Sequence, residues 1–137
     1  MSAHEAGLQR ALIAHLRADA PLRALLGDPA RIWDAAPDEP AFPHVLIGRC
    51  ESRPVAADGG GVEQVLTLTV VSRFRGTEEV RAVLAAVRLS LNDAALEADG
   101  VRTVNLSVAF ADVFPGADGA RTFAVLRVRA VTEEVET

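Results

Sequence analysis

The chain has 137 residues, a net charge of −5 and no lysine, so all fourteen of its basic residues are arginine. Half of its residues are hydrophobic, which supports a packed core, and no apolar run reaches the roughly 18 residues that span a membrane. A single cysteine excludes an internal disulfide and a cysteine-based zinc site. The acidic balance and scattered arginines speak against a nucleic-acid binder, which needs a basic patch. Residues 1–137 read as one domain of a size that needs no metal or disulfide staple. The charged opening stretch reads as neither signal peptide nor anchor, which fits a cytoplasmic origin. The exclusive use of arginine reads as the codon bias of a GC-rich genome.

In chain order, Ser2 and Glu5 have the spacing of a capping box. Leu8, Ala11, Leu12, His15 and Leu16 then share a helical face, and the helix should end near Asp19 ahead of Pro21. A short second helix follows, with Pro21 in its first turn and Gly27 as its stop. Residues 31–34 are suited to a short strand. Pro37, Pro40 and Pro43 each remove a backbone donor and make the next ten residues an irregular loop. Strands are expected at 44–50 and 62–74, separated by a flexible turn containing Gly59, Gly60 and Gly61. In the second, Leu66, Leu68 and Val70 point one way and Thr67, Thr69 and Val71 the other.

Thr77 is placed to cap a third helix, with Glu78 and Glu79 where the helix dipole favours acids. Its apolar stripe is Val80, Val83, Leu84, Val87 and Leu91. Residues 101–114 alternate, with Val104, Leu106, Val108 and Phe110 set against Thr103, Asn105, Ser107 and Ala109. A hairpin turn at 115–119 leads into a last strand over 120–135, with Ala124, Leu126, Val128 and Ala130 opposite Arg127, Arg129 and Glu133. The expected fold class is α+β: a mostly antiparallel sheet of about four strands with helices packed on one face, in the order α-α-β-β-α-β-β. Two strands read long enough to span roughly 40–50 Å, beyond a compact diameter of about 35–40 Å. They must bend or project, and projecting ends are natural subunit contacts.

Catalytic chemistry finds no support. There is no Gly-x-Ser-x-Gly, and Cys50 stands in a strand with no histidine near it in sequence. His4, His15 and His44 lie in separate elements without metal-ligand spacing. Asp34, Asp38 and Glu39 read as a solvated acidic loop before a cation site. The triple glycine precedes a strand and is no phosphate loop. No catalytic, cofactor or metal residue is therefore assigned, and no enzyme activity is expected. Trp33 and Phe42 read as anchors of the proline loop, with a partner contact as their functional alternative.

Leu8 to Leu12, Ala20 to Gly27, Arg31 to Asp34 and Phe42 to Gly48 carry a recognisable pattern. It comprises a Leu-Gln-x-Ala-Leu helix, an Ala-Pro-Leu-x-Ala-Leu-Leu-Gly turn, an Arg-Ile-aromatic-Asp segment and a proline-rich loop closing in Phe-Pro-x-Val-x-Ile-Gly. The chain resembles the tail-completion, or tail terminator, proteins of long-tailed phages, prophages and gene transfer agents. Trp33 and His44 stand where such sequences often have Tyr. The resemblance implies a virion structural protein assembled in the bacterial cytoplasm, without enzymatic activity or cofactor. It implies a homohexameric ring that caps the tail tube, ends its growth and joins the tail to the head or neck. The partners it implies are further copies of the chain, the major tail-tube protein, a head-closure protein and double-stranded DNA passing through the channel without sequence-specific contact. It implies no membrane.

The interface residues expected from these considerations are Trp33, Phe42, Gly59, Gly60, Gly61, Arg73, Arg75, Arg127 and Arg129. Three rivals carry different signatures. Another neck component such as a head-closure protein would differ in gene position. A small ligand-binding α+β domain would need a cavity lined by His44, Asp34 and Glu39. A regulatory module of toxin–antitoxin type would need a basic patch.

Overall fold

The computed structural model describes residues 3–55, 60–74 and 76–135. Three helices, α1 (Ala3–Arg17), α2 (Ala20–Leu26) and α3 (Glu78–Leu91), accompany six strands: β1 (Ile32–Trp33), β2 (His44–Pro54), β3 (Val62–Ser72), β4 (Glu97–Ala98), β5 (Val101–Pro115) and β6 (Thr122–Glu134). They form one sheet in the order β1-β2-β3-β6-β5-β4. The β1–β2 pair is parallel and all others are antiparallel.

The expectation of a mostly antiparallel sheet of about four strands with helices packed on one face does not hold: the sheet has six strands, is mixed and is curled. Strand (42%) outweighs helix (28%), and the mixed sheet curls into a half-barrel. Two short edge strands account for the number: β1, within the short strand expected at 31–34 but not counted in the sheet, and β4, which is not among the expected strands. Bulges account for the shape: the register slips between Ile47 and Cys50 on β2, and twice on β5, around Val104 and Ala109. Each extra residue bends its strand and steepens the local twist. The long strands therefore bend, and α1 touches β1 at one edge of the sheet and β4 at the other.

Inside the curl, Leu8, Leu12 and Leu16 of α1, Leu22 and Leu26 of α2 and Val80, Val83 and Val87 of α3 meet Leu66, Leu68 and Val70 of β3 and Ala124, Leu126 and Val128 of β6. The predicted stripes of the helices and of these two strands hold. The alternation predicted for β5 does not. The bulges return Leu106 and Val108 to the core but leave Val104 57% and Phe110 44% exposed.

The caps add to expectation in one place and differ from it in another. α1 ends at Arg17, close to the expected Asp19, and Asp19 itself caps α2, its carboxylate accepting the Leu22 N–H at 3.1 Å. Thr77 precedes α3 without a side-chain cap, because its hydroxyl accepts Arg81 Nε at 2.9 Å. The capping box at Ser2 lies outside the described residues.

A close approach fixes α1. A methyl group on Gly7 would lie 2.9 Å from the Ala98 carbonyl oxygen and from Val101 Cβ. An exposed mid-helix Gly→Ala change gains about 0.5–1 kcal/mol. Gly7→Ala should instead destabilise by about 1–3 kcal/mol through overpacking, measured by urea denaturation; a gain would show that α1 can shift outward. The same helix end is held by buried polar contacts. Gln64 Nε2 donates to the His4 carbonyl at 3.2 Å and to Thr132 Oγ1 at 2.9 Å.

Candidate interaction surface

Side chains alternate across a strand, so the residues that skip the core stand on the outer side of the half-barrel. None of the outward residues Leu46, Val65, Val71, Phe110, Phe114, Phe123 and Val125 belongs to the core cluster. At one end of the sheet the registers line up a row across five strands: Trp33 beside Leu46 on β1, then His44, Val71, Phe123 and Phe114. The rings are in contact. Trp33 and His44 have centroids 5.2 Å apart, Phe42 and His44 4.9 Å, and Phe114 and Phe123 stack at 5.6 Å.

Arginines seat on this belt. Arg73 and Arg121 lie 4.8 and 5.3 Å from the Phe42 ring centre, and Arg127 lies 4.9 Å from that of Phe110. Such cation–π contacts contribute about 0.5–1 kcal/mol at exposed sites. Further along the face Glu63 gathers two arginines, accepting Arg53 Nε at 2.8 Å and Arg129 Nε at 2.9 Å. The Arg129 hydrogen bond is the main reason its carboxyl is held below the usual range, with Arg53 adding to the effect.

The predicted interface residues thus separate into groups. Trp33, Phe42 and Arg73 come together at the aromatic end. Arg127 and Arg129 stand midway along β6, the second tied to Glu63. Gly60 and Gly61 lie at the opposite end, where Gly61 accepts the Val55 N–H at 2.9 Å; the length of β3 puts them roughly 33 Å from Phe42. Gly59 and Arg75 lie outside the described residues. Sequence reasoning missed Phe110, Phe114, Phe123 and Arg121. Only the bulges turn Phe110 outward, and a pattern of simple alternation cannot show them. Phe114 and Phe123 meet because the hairpin turn at Gly116 pairs their strands, and the Phe123 ring lies within 2.9 Å of where a Gly116 side chain would begin.

His44 is buried in this belt at 3% exposure. Its Nδ1–H donates to the Ala41 carbonyl at 2.8 Å. Burial is the largest influence on its pKa and lowers it, Arg121 and Arg31 lower it further, and the Ala41 bond opposes them. The unfolded chain therefore takes up this proton near pH 6.5, and the folded chain only at lower pH. Stability from neutral His44 is complete above about pH 6.5 and is lost as the pH falls through the lowered value. The thermal unfolding midpoint should drop on acidification in that window, and His44→Gln should flatten the drop. An unchanged slope in the variant would assign the effect elsewhere.

The remaining chemical candidates do not assemble. Among the described residues no three His, Cys, Asp or Glu side chains are placed to hold a metal. Asp34 lines a 420 Å³ cleft along α1 with Arg10 and Arg17, without His44 or Glu39. Cys50 is exposed as a residue, but its thiol faces Gln64 Oε1 at 3.5 Å. Burial of the sulfur, then Glu5 and Glu51, push its pKa up, away from the thiolate a nucleophile requires. No helix among the described residues is long and apolar enough to cross a membrane.

A half-barrel whose outer face carries arginine-seated aromatic rings defines a protein that works by contact, since aromatics and arginine dominate binding at interfaces. The family model described as "Tail completion protein gp17" matches residues 10–133, and the chain belongs to that family. It is a family of structural virion proteins, not of enzymes. Among solved structures, the chain is similar to a chain of the virion of a native gene transfer agent (GTA) particle. The two share 28% sequence identity and a TM-score of 0.88, over 97% of this chain and 99% of that one. No curated protein matches.

Proposed function

We propose that this structural tail protein is a tail terminator of a phage-like particle, specifically of the gene transfer agent type. Six copies form a ring that caps the tail tube, ends its elongation and presents a surface to the neck of the head. Assembly takes place in the bacterial cytoplasm, and the ring stays in the finished particle. Family membership and the likeness to a gene transfer agent virion chain support this reading. The observation that carries it is the outer sheet face, whose aromatics and arginines are left out of the subunit's own core.

Charge fits the same picture. Six copies at −5 carry about −30 in all, and an acidic lumen repels DNA phosphates so that duplex passes without sticking. Reversing acids that line the lumen should slow DNA delivery; delivery at the normal rate would remove the lumen charge from the proposal.

Negative-stain microscopy and light scattering decide the matter, on the protein alone and mixed with the tail-tube protein of its own system. Sixfold rings, free or seated at tube ends, are expected. A monomer that ignores its own tubes would overturn the terminator reading. A ring that binds the head side but leaves tubes uncapped would favour the head-closure alternative.

A further inference from the structure

Resting on the ring reading, we infer that one margin of the sheet seats the acidic loop of the next copy. The seat is Phe110, Phe114 and Arg127, and the occupant is the β1–β2 loop with Asp34, Asp38 and Glu39. Closed rings of identical subunits need a heterologous contact, in which two different surfaces of the chain meet. The half-barrel offers two such surfaces on opposite sides of the sheet. β1 and its loop lie at one edge, and β5 lies next to the other, four strand spacings away, or roughly 19 Å.

The β5 side is unfinished in the single subunit. β6 pairs with β5 along its whole length, but β4 covers only Val101 and Arg102 on the other side. The Leu96 carbonyl accepts the Thr103 N–H at 2.9 Å, and from there to Pro115 no further strand pairs on that side, with Phe110 44% and Phe114 37% exposed. Arg127 lies over Phe110 and has no acid within ion-pair distance among the described residues. Asp112 stands exposed between the two rings on the same face, so the carboxylates of a partner segment belong at the Arg127 end of this seat and its proline or apolar surface against the rings.

The β1–β2 loop has that chemistry. Asp34, Asp38 and Glu39 are exposed, and none is in an ion pair among the described residues. Pro37 and Pro40 stiffen the segment between them, so little entropy is lost when it docks. A loop of one copy on the β5 side of the next repeats around a ring without leaving either surface bare.

The test uses the full chain under conditions where the wild type rings, alone or on tube ends. Arg127→Glu, and separately the pair Asp38→Arg with Glu39→Arg, should each reduce ring formation at least tenfold. The loop pair should leave the monomer's thermal unfolding unchanged, and Arg127→Glu should lower it no more than Phe110→Ala does, since both lose the same ring contact. Combining all three changes in one chain should restore rings. An equimolar mixture of the two defective proteins should also give rings, with the two variants alternating, because the acidic loop of one meets the Arg127 seat of the other and the reversed loop meets the reversed seat. Normal rings in both variants would overturn the inference and leave the terminator reading intact. Rings that form but no longer bind tubes would assign the β5 side to the tube protein, and would overturn it as well. A wild type that never rings removes the terminator reading and this inference together.

Discussion

Truncating Leu126 to alanine should destabilise the subunit by about 2–5 kcal/mol, because the site combines lost apolar burial with a cavity that little can fill. Leu126 is fully buried in the centre of the sheet, flanked by Leu68 on β3 and Ala111 on β5, with Ile47 of β2 at the same level. Backbone on both sides limits collapse into the gap, and the helices lie above it. Phe110 lies one step along β5 from Ala111 and opposite Arg127, on the outer side. Phe110→Ala removes a larger side chain, yet should cost the subunit no more than about 1 kcal/mol, the worth of its contact with Arg127. Urea denaturation of the two variants separates the inner face, which makes the fold, from the outer face, which is left for partners. Equal losses would mean that the outer face is part of the subunit's own stability.

That contrast also explains how far the sequence could be read. Strand β6 keeps strict alternation from Thr122 to Thr132, so Leu126 and Arg127 are assigned to opposite faces without a structure. Helix α3 keeps its stripe for the same reason. The reading fails where the backbone leaves its period. Val104 and Ala109 are extra residues on β5, and each flips the remainder of the strand, so the stripe predicted through Val104, Leu106, Val108 and Phe110 is split between two faces. The two-residue strands β1 and β4 carry no periodicity at all. Their pairing comes from tertiary placement: Val45 N–H bonds to the Arg31 carbonyl at 2.9 Å, and Thr103 N–H to the Leu96 carbonyl at 2.9 Å. The half-barrel is the sum of these bulges and edge strands, which is why the sheet reads as about four strands. Of the aromatic belt, Trp33 and Phe42 stand out in the sequence because a proline-rich loop with two aromatics is unusual by composition, and Arg73 because it ends a long strand. Phe114 and Phe123 needed the pairing of two strands to be seen as one site.

The proline-rich loop supplies the second large effect. Three prolines deny it ladder hydrogen bonds, so its position depends on side chains reaching its carbonyls. Arg31 does this: Nε donates to the Pro43 carbonyl at 2.9 Å and Nη2 to the Phe42 carbonyl at 3.3 Å. Arg17 reaches the Ile32 carbonyl at 2.6 Å just upstream. Gly27 leaves room for the Arg31 guanidinium, whose Nη1 lies 2.6 Å from where a side chain on Gly27 would begin. Arg31→Met keeps the apolar stem and removes the donors, leaving two carbonyls next to His44 without their cation. Loss of hydrogen bonds from a charged donor costs about 1.5–3 kcal/mol. Arg102→Met, which removes an exposed pair with Glu133, should cost less than about 1 kcal/mol and serves as the control. Trp33 is the chain's one tryptophan and packs at a tilt against His44 beside the loop, so its fluorescence reports the same event. In Arg31→Met the emission should shift to the red and the urea midpoint should fall together. The acids Asp34, Asp38 and Glu39 would then be presented from an unanchored segment, and ring formation should weaken although no contact residue has changed. Unaltered emission and midpoint would show that the prolines alone hold the loop.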